Sequence, residues 1–460
     1  MDAADGIPQP QRTWAHAAVI LGIMMSVLDS AIANIALPTL AAEFQVRPAD
    51  AIWIVSAYQL AVTAALLPIA SLGDILGYKR VFCAGLALFT LASLACSLST
   101  SLPGLAAARA VQGLGAAGIM SVNNALIRFI YPHRLLGRGI SYNALMVAIS
   151  SVAGPTVAAS ILSWGSWPWL FWVNVPVGIL ALAVGFKVLP RTPQSTHPFD
   201  TISAILNALT FGLLLIGADS LLENGPVAAL ELGGAVLLGF VFVRRQRSLK
   251  VPMLPLDLLR IRIFSLSVMT SMCSFAAQTM AYVALPFYFQ NVMGRSQGSI
   301  GALMTAWPLL TAVISPISGR LSDRHSAGLL GGIGLGILAV GLGTLALLPT
   351  ETATIDIVWR LALCGLGFGL FQAPNNRAIF TSAPRERSGG ANGMQATARL
   401  VGQTTGAALV ALIFSAASEN AASLSLAIAA ALAITASIVS SLRAFSPAAG
   451  ASSQNVDPHR

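Results

Sequence analysis

Long apolar runs separated by short polar turns fill almost the whole chain. They lie at 15–38, 51–72, 80–99, 103–127, 138–162 and 168–188, then at 201–222 and 226–243. Six more follow at 264–290, 299–319, 328–348, 353–379, 390–416 and 420–443. Crossing a hydrocarbon core takes roughly 20 apolar residues in a helix. The pattern therefore predicts an all-α membrane protein of about fourteen spans. An even number leaves both termini on one side.

Composition agrees. Of 460 residues, 56% are hydrophobic and only 9% charged, with a mean hydropathy of +0.77. Soluble domains carry about 25% charged residues. The net charge of +9 raises the question of nucleic acid, and its placement answers it. With the N-terminus inside, Arg47 and Arg295 fall outside, Arg109, Arg360 and Arg399 fall within spans, and the other 21 of the 26 basic residues lie on inner segments. Retention of Lys and Arg on the cytoplasmic face gives this alternation. It predicts a multi-pass protein of a bacterial inner membrane with both termini cytoplasmic, and no nucleic-acid partner.

Cys83, Cys96, Cys273 and Cys364 all sit in apolar runs without metal-ligand spacing and read as small packing residues. Trp164, Trp167, Trp169 and Trp172 cluster at an outer turn, where an interfacial aromatic belt belongs. The basic, apolar-interleaved segment 244–262 reads as an amphipathic connector on the inner leaflet.

The chain repeats itself. GLGAAGIMSVNNALI at 113–127 and GLGFGLFQAPNNRAI at 365–379 match Gly, Leu, Gly, Asn, Asn and Ile at an offset of 252 residues, which also carries Gly154 onto Gly406. Two six-helix halves in parallel repeat are thus expected, with the runs at 201–243 as an insert. Such halves rock about a substrate site at their interface. The expected layout is a cytoplasmic tail at 1–14, a bundle at 15–188, the insert and connector at 189–258, a second bundle at 259–443 and a disordered cytoplasmic tail at 444–460.

Several stretches carry a family resemblance: LDSAIANIALP at 28–38, LGDILGYKR at 72–80, RAVQGLGAAG at 109–118, AGPTVAA at 153–159 and WPWLFWVNVPVG at 167–178. In this order they resemble motifs of the major facilitator superfamily, and within it the fourteen-span drug:proton antiporters. The resemblance implies a major facilitator fold and secondary transport. There are departures: Ala70 stands where the loop motif has Gly, Ile75 and Tyr78 where it has Arg, and Ala158 and Ala159 where the fifth-span motif ends in Gly-Gly.

A carboxylate at the centre of a span costs roughly 2.5–3.5 kcal/mol on insertion scales, so Asp29 needs a function or a partner. It reads as the proton-coupling group, or else as a structural hydrogen-bonded acid. Arg109 reads as the group that tunes it, or as a tie to backbone carbonyls of the first span. Gln395, Arg399, Gly402, Gln403 and Gly406 share one helix face, and Asn143 to Gly154 form its repeat mate. Both faces are expected to line a central cavity, with Asn34, Tyr58, Gln59, Gln112, Gln278, Trp307, Gln372 and Asn375 as further lining candidates. Arg399 reads as a ligand for an anionic or polar substrate, or as a partner of Asp356 or another acid. Asp74, Gly77, Lys79 and Arg80, with Asp323 and Arg324 in the second half, are the expected inside gate. Gly154 and Pro155 are the expected hinge, because Pro lacks a donor and crowds the preceding turn.

These readings point to proton-coupled efflux of hydrophobic or cationic drugs by a monomer in the bilayer, with protons and a small molecule as partners and no cofactor. A symporter, or a narrow-range exporter of one metabolite, is the alternative. A membrane enzyme or a non-transporting sensor is the remote one. His16, His133, His197, His325 and His459 lie at span ends or in loops without an evident partner, and no nucleotide-binding glycine loop is present.

Overall fold

The computed structural model describes residues 6–132, 135–195, 198–220, 224–249, 252–254, 256–322, 324–383, 388–416 and 420–443. The expected tail at 444–460, Asp323 of the expected gate, His133, His197 and His459 therefore lie outside the described residues.

Every predicted span is a helix. The first half holds α1 (Gln11–Glu43), the single turn α2 (Pro48–Ala51), α3 (Trp53–Leu76), α4 (Tyr78–Ser97), α5 (Leu102–Ile130), α6 (Leu136–Trp164), the single turn α7 (Trp169–Trp172) and α8 (Asn174–Val188). The insert is α9 (Thr201–Asp219) and α10 (Gly225–Ser248). The second half holds α11 (Arg262–Phe287), α12 (Gln297–Leu321), α13 (Ala327–Ala346), α14 (Thr354–Ser382), α15 (Ser388–Ala416) and α16 (Ala421–Leu442). Thirteen helices among the described residues are long and apolar enough to cross a membrane, and α9 contributes a shorter apolar stretch, Thr201–Gly217. Side-chain caps begin several of them: Ser101 accepts from the Gly104 amide, Ser296 from Ser299 and Ser326 from Leu329. Such caps satisfy amide groups that a helix start leaves free.

The repeat has a packing basis. A Cβ on Gly113 of α5 would collide with the carbonyl of Tyr58 on α3, and one on Gly365 of α14 would collide with the carbonyl of Trp307 on α12. Likewise Gly154 of α6 is pressed against Ala31 of α1, and Gly406 of α15 against Ala276 of α11. The recurring glycines thus mark the same helix crossings in each half, where bare backbones approach closely.

The halves meet along a seam where α1 touches α11, α6 touches α12 and α3 touches α15. At the end where α1 and α11 finish, one apolar core runs across it, including Leu37 and Leu40 of α1, Ala284 and Phe287 of α11, Leu303 of α12 and Val410 of α15. At the other end the cores separate. The first half packs around Phe82, Val122 and Leu126, and the second around Phe264, Val268 and Ile379, with Leu400 reaching across into the first. Among the described residues, then, the apolar core shared by both lobes lies at the end where α1 and α11 finish, Leu400 apart. The insert leans on this seam: α9 touches both α3 and α15, and Asn207 donates to the Ala64 carbonyl at 2.7 Å.

Two expectations shift in detail. Trp164, Trp169 and Trp172 are exposed as a belt requires, but Trp167 is buried against Phe44 and Phe171. His16 is not partnerless, since its Nδ1 lies 2.8 Å from the Tyr131 hydroxyl.

Candidate functional site

Asp29 sits on α1 facing the interior of the first half, 1% exposed. Arg109 meets it from α5, equally buried, and its Nη1 donates to Asp29 Oδ2. Asp29 Oδ1 accepts from Gln112 Nε2 at 3.0 Å and from Asn174 Nδ2 of α8 at 2.8 Å. Gln112 also donates to Ser93 of α4 at 2.8 Å and accepts from Arg109 at 2.6 Å. Arg109 Nε donates to the Ile54 carbonyl of α3 at 3.1 Å. Arg109 thus meets Asp29, and the carbonyl it binds is on the second span rather than the first. Five helices thus converge on one carboxylate, whose two oxygens accept three donors. A buried charge is stable only with such pairing.

Tyr58 covers this cluster. The Arg109 guanidinium lies 4.2 Å from its ring centroid, within cation–π range. Arg399, on α15 of the other half, is close enough to Tyr58 to interact with it electrostatically. Tyr58 is therefore within reach of an arginine from each half.

The other expected lining residues divide. Asn34 Oδ1, Gln59 Oε1, Asn143 Oδ1, Trp307 Nε1 and Arg399 Nε are buried without a hydrogen-bond partner. Trp307 packs edge-on against Tyr282, which Gln278 also touches. Gln395 donates to Asn376 at 2.7 Å, and Gln372 is half-buried. Asn375 belongs to a different network: it donates to Ser271 at 2.8 Å and accepts from Arg443 at 2.6 Å, joining α11, α14 and α16.

The loop between α3 and α4 is held from its own half. Gly77 turns the chain at φ +93°, a conformation that favours glycine. Asp74 accepts from the Tyr78 hydroxyl at 2.6 Å, and its carbonyl accepts from the Ser195 amide at 2.8 Å. Thr192 accepts from the Tyr78 amide at 2.9 Å, and Gln194 donates to the Leu76 carbonyl at 2.9 Å. Lys79 donates to the Phe186 carbonyl at 2.8 Å. Segment 191–195 after α8 thus clasps the loop, and Tyr78, a departure from the family motif, supplies a partner for Asp74. Arg80 and Arg324 are exposed.

At the expected hinge, Pro155 lies inside α6 and its carbonyl faces Gly301 of α12. Ala159 also abuts Gly301, so the small residue at this crossing stands on α12. Thr156 and Thr305 bridge the two helices at 2.8 Å.

Sequence reasoning passed over Asn174 and Ser93. Asn174 had a signal, being an amide in the apolar run WVNVPVG. Ser93 had none, because serine is common in spans and bonds its own helix, as Ser93 also does to Phe89.

Two six-helix halves in parallel repeat, with unpartnered polar atoms near their seam and a buried ion pair behind it, define a polytopic membrane transporter. The chain belongs to the Major Facilitator Superfamily, whose family model matches residues 19–407 and 267–456. It is 54% identical over 448 residues to "Uncharacterized transporter YebQ" of Escherichia coli (strain K12), covering 96% of this chain and 98% of that one. It is 31% identical to "Riboflavin transporter RibZ" of Clostridioides difficile (strain 630), over 88% of this chain and 89% of that one. It is 29% identical to "Multidrug resistance protein Stp" of Mycobacterium tuberculosis (strain CDC 1551 / Oshkosh), over 86% and 74%. Among solved structures, a POT family transporter in complex with thioalcohol conjugated peptide superposes with a TM-score of 0.71 at 15% identity, over 92% of this chain and 94% of that one, a likeness of fold.

Proposed function

We propose that the protein is a proton-coupled exporter of small organic compounds, working by alternating access, with Asp29 as the proton-carrying group and Arg109 as its switchable partner. The observation that carries this reading is the Asp29–Arg109 pair, 1% exposed on both sides, with the Tyr58 ring against Arg109. In this conformation Asp29 accepts hydrogen bonds from Arg109, Gln112 and Asn174. Movement of Tyr58 or Arg109 as the lobes tilt breaks this set of bonds and changes which groups face Asp29. Proton uptake is thereby tied to lobe position. Relatives named as a multidrug resistance protein and as a riboflavin transporter support a small organic compound as cargo.

In the orientation given by the basic loops, the end with the shared core faces outward and the clasped loop after α3 faces the cytoplasm. Pro155 then serves as a hinge within α6, beside a crossing with α12 that parts as the lobes tilt, and the Asp74–Tyr78 loop steadies the inner end of the first lobe. The test is transport in vesicles of known orientation under an imposed pH gradient. Export driven by inward proton flow supports antiport, substrate and proton moving together indicates symport, and indifference to the gradient refutes the reading.

A further inference from the structure

Among the described residues, Arg109, Arg360 and Arg399 lie within spans and Arg443 caps the end of α16, and all but Arg399 are held. Arg109 pairs with Asp29, and Arg360 pairs with Asp356 at 2.8 Å and donates to the Thr344 carbonyl. Arg443 donates to Ser267 at 2.7 Å, to Asn375 at 2.6 Å and to Ser440. Arg399 is the exception: among the described residues it has neither a hydrogen bond nor an ion pair, and its Nε is buried. Asp356, the acid that sequence reasoning offered as its partner, is taken by Arg360 one turn along the same helix.

Arginine stays charged at any working pH. An uncompensated charge in the membrane interior is strongly unfavourable, and where one persists it marks a binding group or a pathway. Arg399 lies on α15, which packs on α3 across the seam, beside Tyr58. Gln59, next to Tyr58 on α3, has a buried Oε1 without a partner. A cation bound here would meet the free charge of Arg399, while Asp29, the acid that also faces Tyr58, already has donors on both of its oxygens. An anion would supply what Arg399 lacks, and the Tyr58 ring offers an apolar wall beside it.

We infer that Arg399 receives the anionic group of the transported compound, so that the substrate class is an organic anion with an apolar body rather than a lipophilic cation. The inference rests on the seam being the transport route, as proposed above, and adds the charge of the cargo. It implies a single dominant polar contact, with a carboxylate, sulfonate or phosphate oxygen on the guanidinium.

The test is equilibrium binding to the purified full-length protein, with no pH gradient. The probes are 2-naphthoate, the neutral 2-naphthamide and tetraphenylphosphonium, read by thermal shift and by tryptophan fluorescence. Naphthoate is expected to stabilise the wild type, and the amide and the phosphonium are not. R399Q is expected to weaken naphthoate binding roughly 30-fold or more, with R399K retaining part of the affinity, as when one partner of a buried charge pair is removed. Equal binding of amide and carboxylate, preference for the phosphonium, or unchanged naphthoate affinity in R399Q would overturn the inference. So would failure of naphthoate and its sulfonate and phosphate analogues to bind at all. The comparison of probes on the wild type stands even if R399Q folds poorly. Loss of proton coupling in vesicles would refute the transport mode and leave this binding result intact.

Discussion

Asp29 of α1 and Arg109 of α5, 80 residues apart in the chain, form an ion pair buried inside the first lobe with both side chains 1% exposed. The pair is roofed by Tyr58 and braced by Gln112 and Asn174. Removing one member leaves the other charged, buried and unmatched, which typically destabilises by about 3–5 kcal/mol. R109A is therefore expected to fail to accumulate or to melt far below the wild type in detergent. The double variant D29N/R109Q should recover much of the lost stability, as measured by thermal unfolding of the purified proteins.

Asn174 donates to the same carboxylate oxygen as Gln112. N174L removes a donor from a buried anion, a loss of about 1–3 kcal/mol. Its melting temperature should fall while assembly in the membrane persists, and pH-driven transport should weaken. An unchanged melting temperature and unchanged transport would show that Asn174 is not part of the cluster in the working protein.

Gly365 leaves no room for a side chain against the Trp307 carbonyl. G365A forces α14 away from α12, and overpacking of this kind costs about 1–3 kcal/mol. G113A should behave alike at the α5–α3 crossing, whereas G343A, which meets nothing nearby, should be neutral. Parallel melting curves of the three variants check this.

Thr156 and Thr305 touch across the α6–α12 seam at 2.8 Å. T156C/T305C in a background lacking the four native cysteines should form a disulfide on oxidation. Transport should stop when it forms and return with a reductant. Continued transport in the oxidised protein would show that this crossing need not open.

At the start of α9, burial alone would raise the carboxyl pKa of Asp200. Hydrogen bonds from the Ser203 hydroxyl, from Arg245 and from the Ser203 amide outweigh it and hold the group below its ordinary value. A depressed carboxyl contributes stability that is present above its unfolded value and lost as pH falls through the folded one. Thermal stability should therefore drop on acidification below about pH 4, and this drop should be smaller in D200N. Because Arg245 is about one-third exposed, the effect is modest.

The spans, the repeat and the buried acid were legible in the sequence because a membrane imposes strong, local signatures: run length, loop charge and glycine spacing. Even the Asp356–Arg360 pair follows from its i, i+4 spacing, which would have removed Asp356 as a partner for Arg399 beforehand. What could not be read was non-local. Ser195 reaching back to Asp74, or Asn174 to Asp29, depends on how helices distant in sequence are rotated against one another, and apolar periodicity is weak in spans that are apolar all round. Asn375 shows the same limit: its repeat mate and helix face suggested the cavity, while Arg443, 68 residues on, draws it into the packing of the second lobe.

The central claim is that Asp29 carries the coupled proton. The most direct test is proton flux in vesicles containing wild type, D29N or D29N/R109Q, energised by an imposed pH gradient, with downhill exchange of substrate as the control. The account predicts that D29N, and equally the stability-restored D29N/R109Q, loses gradient-driven transport and substrate-induced proton movement while the double variant still exchanges substrate downhill. Proton movement in D29N at the wild-type rate would contradict it.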